Sequence, residues 1–254
     1  MHVAELRYAW VGDASDEAVA TAAKDLLHAL RQNGQICGRE HPIARGAGWA
    51  TATVLLLAPD ALDPQHHNQY VRLYLDAAPL GAPAIRILGP DPGSAEPCAC
   101  PRPGSYVLFT DYRSLESPIR CGDCFDPVPL YRLPSTYHGE YYDIIRWMGD
   151  FQDCDSLQMG CRVLERAAMR QLGDAGSPLS RQGREICARL AGLAGVPVYY
   201  RLLRQSGRSQ AAERQLRCPG CCGAWLLGEP WHGFEFRCDA CGLVSAIAYN
   251  LQSA

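Results

Sequence analysis

Four cysteines near the C-terminus stand in two pairs, Cys218-Pro-Gly-Cys221 and Cys238-Asp-Ala-Cys241, with 16 residues between the pairs. A two-residue gap lets a tight turn aim two thiolates at one point. Two such turns joined by a hairpin make a tetrahedral four-sulfur site, a donor set that favours Zn²⁺, with iron the usual rival. Cys218, Cys221, Cys238 and Cys241 are therefore the expected ligands of one zinc ion. All four positions are filled by protein, which leaves no place for water or substrate, so the expected role is structural rather than catalytic. Gly223 and Gly242 supply the backbone angles that turn amides towards the sulfurs. Cys222 stands where a glycine would normally follow the second cysteine. The spacing favours Cys221 as the ligand and leaves Cys222 spare.

A second set is less regular. Cys98-Ala-Cys100 and Cys121-Gly-Asp-Cys124 are separated by 20 residues in a stretch rich in proline and glycine. Cys98, Cys100, Cys121 and Cys124 form a candidate second zinc site, because a segment so poor in apolar residues needs something to order it, and metal can do that. The competing readings are reduced structural thiols or a redox Cys-x-x-Cys. A redox motif of the thioredoxin kind opens a helix, and Pro127 and Pro129 argue against one here. Disulfides suit a secreted chain; no secretory signal opens this one, and the expected compartment is the cytoplasm. Cys154 and Cys161 fall on an apolar stripe with Leu157, Leu164, Ala168 and Leu172 at helical spacing, and are expected in a core, as is Cys187.

Charge is unevenly spread over the 254 residues, whose net is −3. Residues 1–97 carry 7 basic and 11 acidic side chains, residues 98–160 carry 5 and 9, residues 161–216 carry 10 and 4, and residues 217–254 carry 2 and 3. The C-terminal cysteine segment is thus itself acidic, whereas nucleic-acid-binding ribbons present Lys and Arg to phosphates. The basic residues lie just upstream, in Arg201, Arg204, Arg208, Arg214 and Arg217, which are the candidate nucleic-acid contacts; the plainer reading is a solvated face. Trp225, Trp231, Phe234 and Phe236 are candidate base-stacking groups, or the small core of the segment itself. No apolar run approaches the roughly 20 residues that span a bilayer. There is no nucleophile elbow, phosphate loop or His-Glu-x-x-His helix, and the acidic pairs Asp143/Asp150 and Asp153/Asp155 read as caps or solvated groups, so no enzyme is expected.

The elements that must position these residues follow from periodicity and turn chemistry. Residues 4–11 read as a strand and Asp13 or Ser15 caps a helix running to Gln32, ended by Asn33-Gly34. Residues 51–58 form a strand, 64–76 a helix with His66-His67 on its surface, and 84–88 a third strand. Tyr106–Thr110 is a strand, residues 137–193 are mostly helical, 198–203 form a strand, and 205–216 a polar linker. In the last segment a strand over 225–227, a turn at Gly228-Glu229-Pro230, and strands at 233–237 and 243–249 complete the pattern. The fold class is α+β: a ferredoxin-like α/β layer (1–97), a Cys-rich segment (98–135), a helical region (136–209) and a C-terminal zinc ribbon (210–254).

Three stretches carry a family resemblance: residues 121–134, from Cys121-Gly-Asp-Cys124 to Pro134; residues 154–161, Cys154-Asp-Ser-Leu-Gln-Met-Gly-Cys161; and Cys218-Pro-Gly-Cys221 with residues 234–245. The chain resembles a bacterial zinc-ribbon family of unknown function, to which nucleic-acid binding is ascribed on the strength of the ribbon. The resemblance also implies a toxin–immunity setting beside nuclease toxins. An acidic body over residues 1–160 suits a cationic, nucleic-acid-cleaving partner. The expected function is accordingly non-enzymatic macromolecular binding, with a protein partner such as a nuclease toxin; the alternative is DNA or RNA binding through the ribbon.

Overall fold

The computed structural model describes residues 1–9, 15–77 and 80–252. Trp10 and Val11 of the first expected strand, and the candidate cap Asp13, lie outside these residues. Contacts gather the chain into two units: Met1–Ala99 with Leu115–Ser117 and Asp126–Tyr142, and Cys100–Ser114 with Pro118–Phe125 and Asp143–Ala254. Both mix helices with a sheet, which makes the chain α+β.

The first unit contains β1 (His2–Ala9), α1 (Asp16–Gln32), β2 (Ile43–Gly46), β3 (Trp49–Leu56), α2 (Gln69–Asp76) and β4 (Ala84–Pro90). The strands form an antiparallel sheet in the order β2-β3-β1-β4. Ser15 caps α1 by accepting from the Ala18 amide, and Gly34, at φ 68°, follows its end. Alternation along β1 and β3 sends Ala4, Leu6, Tyr8, Ala50, Ala52, Val54 and Leu56 into one core with Val19, Ala23, Leu26, Leu27 and Leu30 of α1. Three expectations change. β2 is an extra strand, short and half exposed, so its sequence carries little alternation. The helix expected over 64–76 is interrupted: Pro64–His66 is a single 3-10 turn, and Asn68 restarts the chain by accepting from the Val71 amide. His66 is not a plain surface group; its ring lies 4.5 Å from Tyr131 and 3.5 Å from the Asp60 carboxylate, which also binds Arg132 and the Tyr131 hydroxyl.

The second unit holds β5 (Tyr106–Leu108), β6 (Ile119–Cys121), α3 (Tyr142–Gly160, from Asp143 on), α4 (Glu165–Gly173), α5 (Pro178–Ala194), β7 (Val198–Leu202), α6 (Gln210–Glu213), β8 (Leu226–Trp231), β9 (Phe234–Cys238) and β10 (Leu243–Ser245). Its six strands make one sheet in the order β6-β5-β7-β10-β9-β8, with β7 parallel to both its neighbours. The C-terminal hairpin therefore continues the sheet begun by residues 106–121. Tyr200 of β7 is fully buried against Trp147 of α3, with ring centroids 5.8 Å apart, and a Cβ at Gly183 of α5 would meet its ring at 2.2 Å. Gly183 is thus the contact that lets α5 lie on the sheet.

The helical stripe through Cys154 and Cys161 is not one helix. The chain breaks at 161–164, where Cys161 (φ 50°) and Leu164 (φ 56°) turn left-handed; Cys161 and Leu164 are exposed and Cys154 only half-buried. α3 instead buries Ile144, Trp147 and Phe151, then Gln152, Asp155 and Gln158. Cys187 is buried as expected, but Leu193 on the same helix is 52% exposed. Ser177 caps α5 by accepting from the Ser180 amide, with Pro178 at the first position of the helix. Residues 205–216 are no loose linker: Ser209 caps α6, whose Glu213 is buried. The last strand ends at Ser245 rather than 249. The hairpin turns at His232-Gly233, both with positive φ, while Gly228-Glu229-Pro230 lie within β8.

Candidate metal centres

The structure brings together the four cysteines of each expected set. Cys218, Cys221, Cys238 and Cys241 place one sulfur each within 4.8 Å of all the others, and so do Cys98, Cys100, Cys121 and Cys124. A tetrahedron with metal–sulfur bonds of about 2.3 Å has edges of about 3.8 Å. Cys221 Sγ lies 3.6 Å from Cys238 Sγ, far beyond a disulfide bond and close to that edge. No disulfide joins any cysteines among the described residues. The donor chemistry of both groups fits a soft or borderline metal ion.

Backbone geometry shows why the turns have this shape. In each Cys-x-x-Cys turn the next residue is left-handed: Phe125 at φ 65°, Cys222 at φ 58° and Gly242 at φ 60°. That conformation folds the chain back, so the Phe125 amide donates to Cys121 O at 2.9 Å and the Cys222 amide to Cys218 O at 2.8 Å. Within the turns the Asp123 amide faces Cys121 Sγ and the Gly220 amide faces Cys218 Sγ, each at 3.4 Å. Amides aimed at sulfur stabilise thiolate. Cys222 is thus the backbone equivalent of Gly242, and the cluster forms without it. At Gly220 a Cβ would meet Cys241 Sγ at 2.7 Å, which is why glycine stands before the second cysteine there.

The thiols of the C-terminal group differ. The Gly223 amide, with the neighbouring thiols, draws Cys221 down to about 7. Burial and the neighbouring thiols push Cys241 up to about 12 and raise Cys238. A thiolate is therefore at hand near neutral pH to receive a cation, while further protons must leave as coordination completes.

The two groups flank one hairpin. β9 ends in Cys238, and the Arg237 amide donates to Trp225 O, just after the Cys218–Cys221 turn. At the other end, the hairpin tip rests on the turn of the other group. Trp231 Nε1 donates to Gly122 O at 3.1 Å, and His232 Nε2 approaches the same oxygen at 2.8 Å. A carbonyl only accepts, so this contact requires the His232 proton on Nε2. Phe125 stacks on His232 with centroids 5.2 Å apart and meets Phe234 edge-on. Trp225 and Phe236 are buried against each other within the segment, Phe234 is buried in a cluster with Val107, Tyr199 and Val244, and Trp231 is half-buried.

The five arginines do not form one surface. Arg201 donates to Thr110 O at 3.1 Å and lies 4.5 Å above the Phe109 ring; burial lowers its pKa, opposed by Asp155 and Asp111. Arg204 grips Glu213, which is 3% exposed, with two bonds of 2.8 and 2.6 Å. Arg208, Arg214 and Arg217 are exposed. The acidic pairs also divide. Asp143 binds Arg189 at 2.6 Å. Asp155 is buried and accepts from the Tyr112 amide and Gln158, neither cap nor solvated. Its role left no trace in the sequence beyond a polar residue on the buried side of a helix.

Fold and sites together define a mixed α+β protein built around two four-cysteine groups. Three family models, each a domain of unknown function, match residues 1–89 (DUF8589), 100–203 (DUF2310) and 207–251 (DUF8594). An uncharacterized protein of Haemophilus influenzae is 34% identical over 228 residues, 87% of each chain. A second from the same organism is 34% identical over 167 residues, 65% of this chain and 82% of its own. The chain belongs to the family of these bacterial proteins of unknown function. No solved structure matches it. No helix among the described residues is long and apolar enough to cross a membrane.

Proposed function

We propose that the chain is a cytoplasmic, non-enzymatic protein that holds two structural zinc ions and acts by binding another macromolecule. The observation that carries this reading is the pair of four-cysteine groups: each offers four sulfurs within 4.8 Å of one another, the full ligand set of a structural zinc site, where a catalytic site keeps one position open. On this reading residues 218–245 are a zinc ribbon merged into a larger sheet. The first unit is ferredoxin-like, supported by its β-α-β-β-α-β order and its sheet order β2-β3-β1-β4.

A protein partner with a cationic surface, such as a nuclease toxin, is the favoured partner. Arg201 and Arg204 are engaged with Thr110 and Glu213, which leaves three arginines of the five exposed. Residues 1–160 meanwhile carry 12 basic and 20 acidic side chains. DNA or RNA binding is the second reading, favoured by exposed Arg208, Arg214 and Arg217 on one short segment. Metal analysis of the purified chain should return two zinc ions. Titration with labelled duplex and single-stranded DNA and RNA, at low and physiological salt, should show no submicromolar binding; tight binding with a steep salt slope would establish the second reading instead. Co-expression with a nuclease toxin encoded beside the gene should restore growth.

A further inference from the structure

The peptide joining Gly122 to Asp123 is held at both ends, by one contact on its amide and two on its carbonyl. Its N–H, on Asp123, faces Cys121 Sγ at 3.4 Å. Its C=O, on Gly122, receives Trp231 Nε1 at 3.1 Å and His232 Nε2 at 2.8 Å. A peptide group is planar and trans, so its carbonyl and amide point in opposite directions and turn as one body. Whatever grips the carbonyl therefore aims the amide at the sulfur. The turn has little other freedom, because the Gly122 amide donates to Ser105 O at 2.8 Å and a Cβ on Gly122 would meet Ser105 Oγ at 2.0 Å. The gripping residues are the tip of the β8–β9 hairpin, and the last residue of β9 is Cys238 of the other sulfur group.

Resting on the two-zinc reading above, we infer that Trp231 and His232 are positioning residues for the metal of Cys98, Cys100, Cys121 and Cys124, and that the hairpin couples the affinities of the two metal groups. Metal at the C-terminal group fixes the base of the hairpin; the fixed hairpin holds its tip on Gly122 O; the held peptide keeps its amide on Cys121 Sγ. The coupling is reciprocal, since each metal must raise the affinity of the other by the same factor. Phe125 reinforces it by stacking on His232 from within the Cys121–Cys124 turn.

The test uses the full zinc-loaded chain and a chromophoric zinc chelator. Trp231→Phe keeps an aromatic ring at the position that faces Tyr199 and Arg237 and removes the N–H donor; Trp231→Phe/His232→Phe removes both donors and keeps an aromatic ring at each position. The double variant should hold two zinc ions but yield one of them about 10- to 100-fold more readily, the range for losing such outer hydrogen bonds, with the single variant between it and the parent. Cys121→Ser and Cys238→Ser assign which ion is weakened, and circular dichroism checks that the fold is kept. Cys238→Ser should also weaken the ion of Cys98, Cys100, Cys121 and Cys124 by a similar factor. A parent chain with two ions whose release is the same, within about twofold, in the double variant overturns the coupling alone. A parent chain that holds fewer than two ions overturns the two-zinc reading and the coupling with it.

Discussion

The residue after each Cys-x-x-Cys turn carries the local cost of folding the chain around a metal. Gly242 takes its left-handed angle freely, whereas Cys222 does so at a penalty of roughly 1–2 kcal/mol for a residue with a Cβ. Part of that penalty is offset by the entropy glycine loses on folding, about 0.5–1 kcal/mol. Cys222→Gly should therefore raise stability by about 0.5–1 kcal/mol and leave two zinc ions in place. Loss of an ion would show that Cys222 is a ligand. Phe125 invites no such change, because its ring packs on Phe109, Phe234 and His232. The thiols set a second expectation. Cys241 is pushed up to about 12 and Cys238 is raised, so both shed protons on binding metal throughout the neutral range; Cys221, at about 7, does so only below that value. Zinc affinity at the C-terminal group should rise with pH, and more steeply below pH 7 than above it, in competition titrations against a chelator. A flat profile would place the metal elsewhere.

At the scale of the element, α3 shows how a polar face can be a core face. Gln152 donates to Thr110 Oγ1, Asp111 O and Ser114 O, and Asp155 accepts from the Tyr112 amide, so one helix side holds residues 110–114. Gln152→Ala leaves those acceptors without their donor in a buried site and should cost about 1–3 kcal/mol in denaturant melts. Glu213→Ala strands Arg204 and the Ala248 amide, and should cost about 3 kcal/mol, the lower end for a buried pair because Arg204 is partly exposed. Both sites explain why element reading from sequence fell short here. Apolar spacing through Cys154, Leu157 and Cys161 was a real pattern, but helical faces are chosen by burial, and hydrogen-bonded Gln152 and Asp155 are buried without being apolar. In the hairpin, Gly228-Glu229-Pro230 has the composition of a turn, yet β8 is the outermost strand of its sheet, where a proline costs no ladder bond. His232-Gly233, with φ of 51° and 81°, makes the turn instead, as two-residue hairpin loops require. The cysteine pairs were legible because coordination constrains spacing directly. The contact between the hairpin tip and Gly122 was not, because 109 residues separate Trp231 from Gly122 and nothing local encodes it.

For the molecule as a whole, the C-terminal sulfur group falls in the unit that needs metal most. The first unit has a continuous core of alternating strand residues and one long amphipathic helix. In the second, the sheet is assembled from strands brought in from residues 106–108, 198–202 and 243–245, and the cluster on its hairpin side is small: Val107, Tyr199, Phe234 and Val244, flanked by Phe109, Phe125 and Trp231. A structural zinc site contributes about 10–16 kcal/mol of folding free energy, which matches or exceeds the roughly 5–15 kcal/mol net stability of a typical domain. Removing the ions should therefore melt β8, β9 and β10 rather than merely loosen them. Hydrogen exchange after treatment with a strong chelator should show the amides of residues 226–245 exchanging freely, while those of β1, β3 and α1 stay protected by a core that holds none of the eight cysteines. Readdition of zinc should restore the protection. If residues 226–245 kept their protection with the metal gone, the hydrophobic cluster alone would be holding the sheet, and the sulfur groups would have to be read as sites that exchange their ions rather than as its structural anchors.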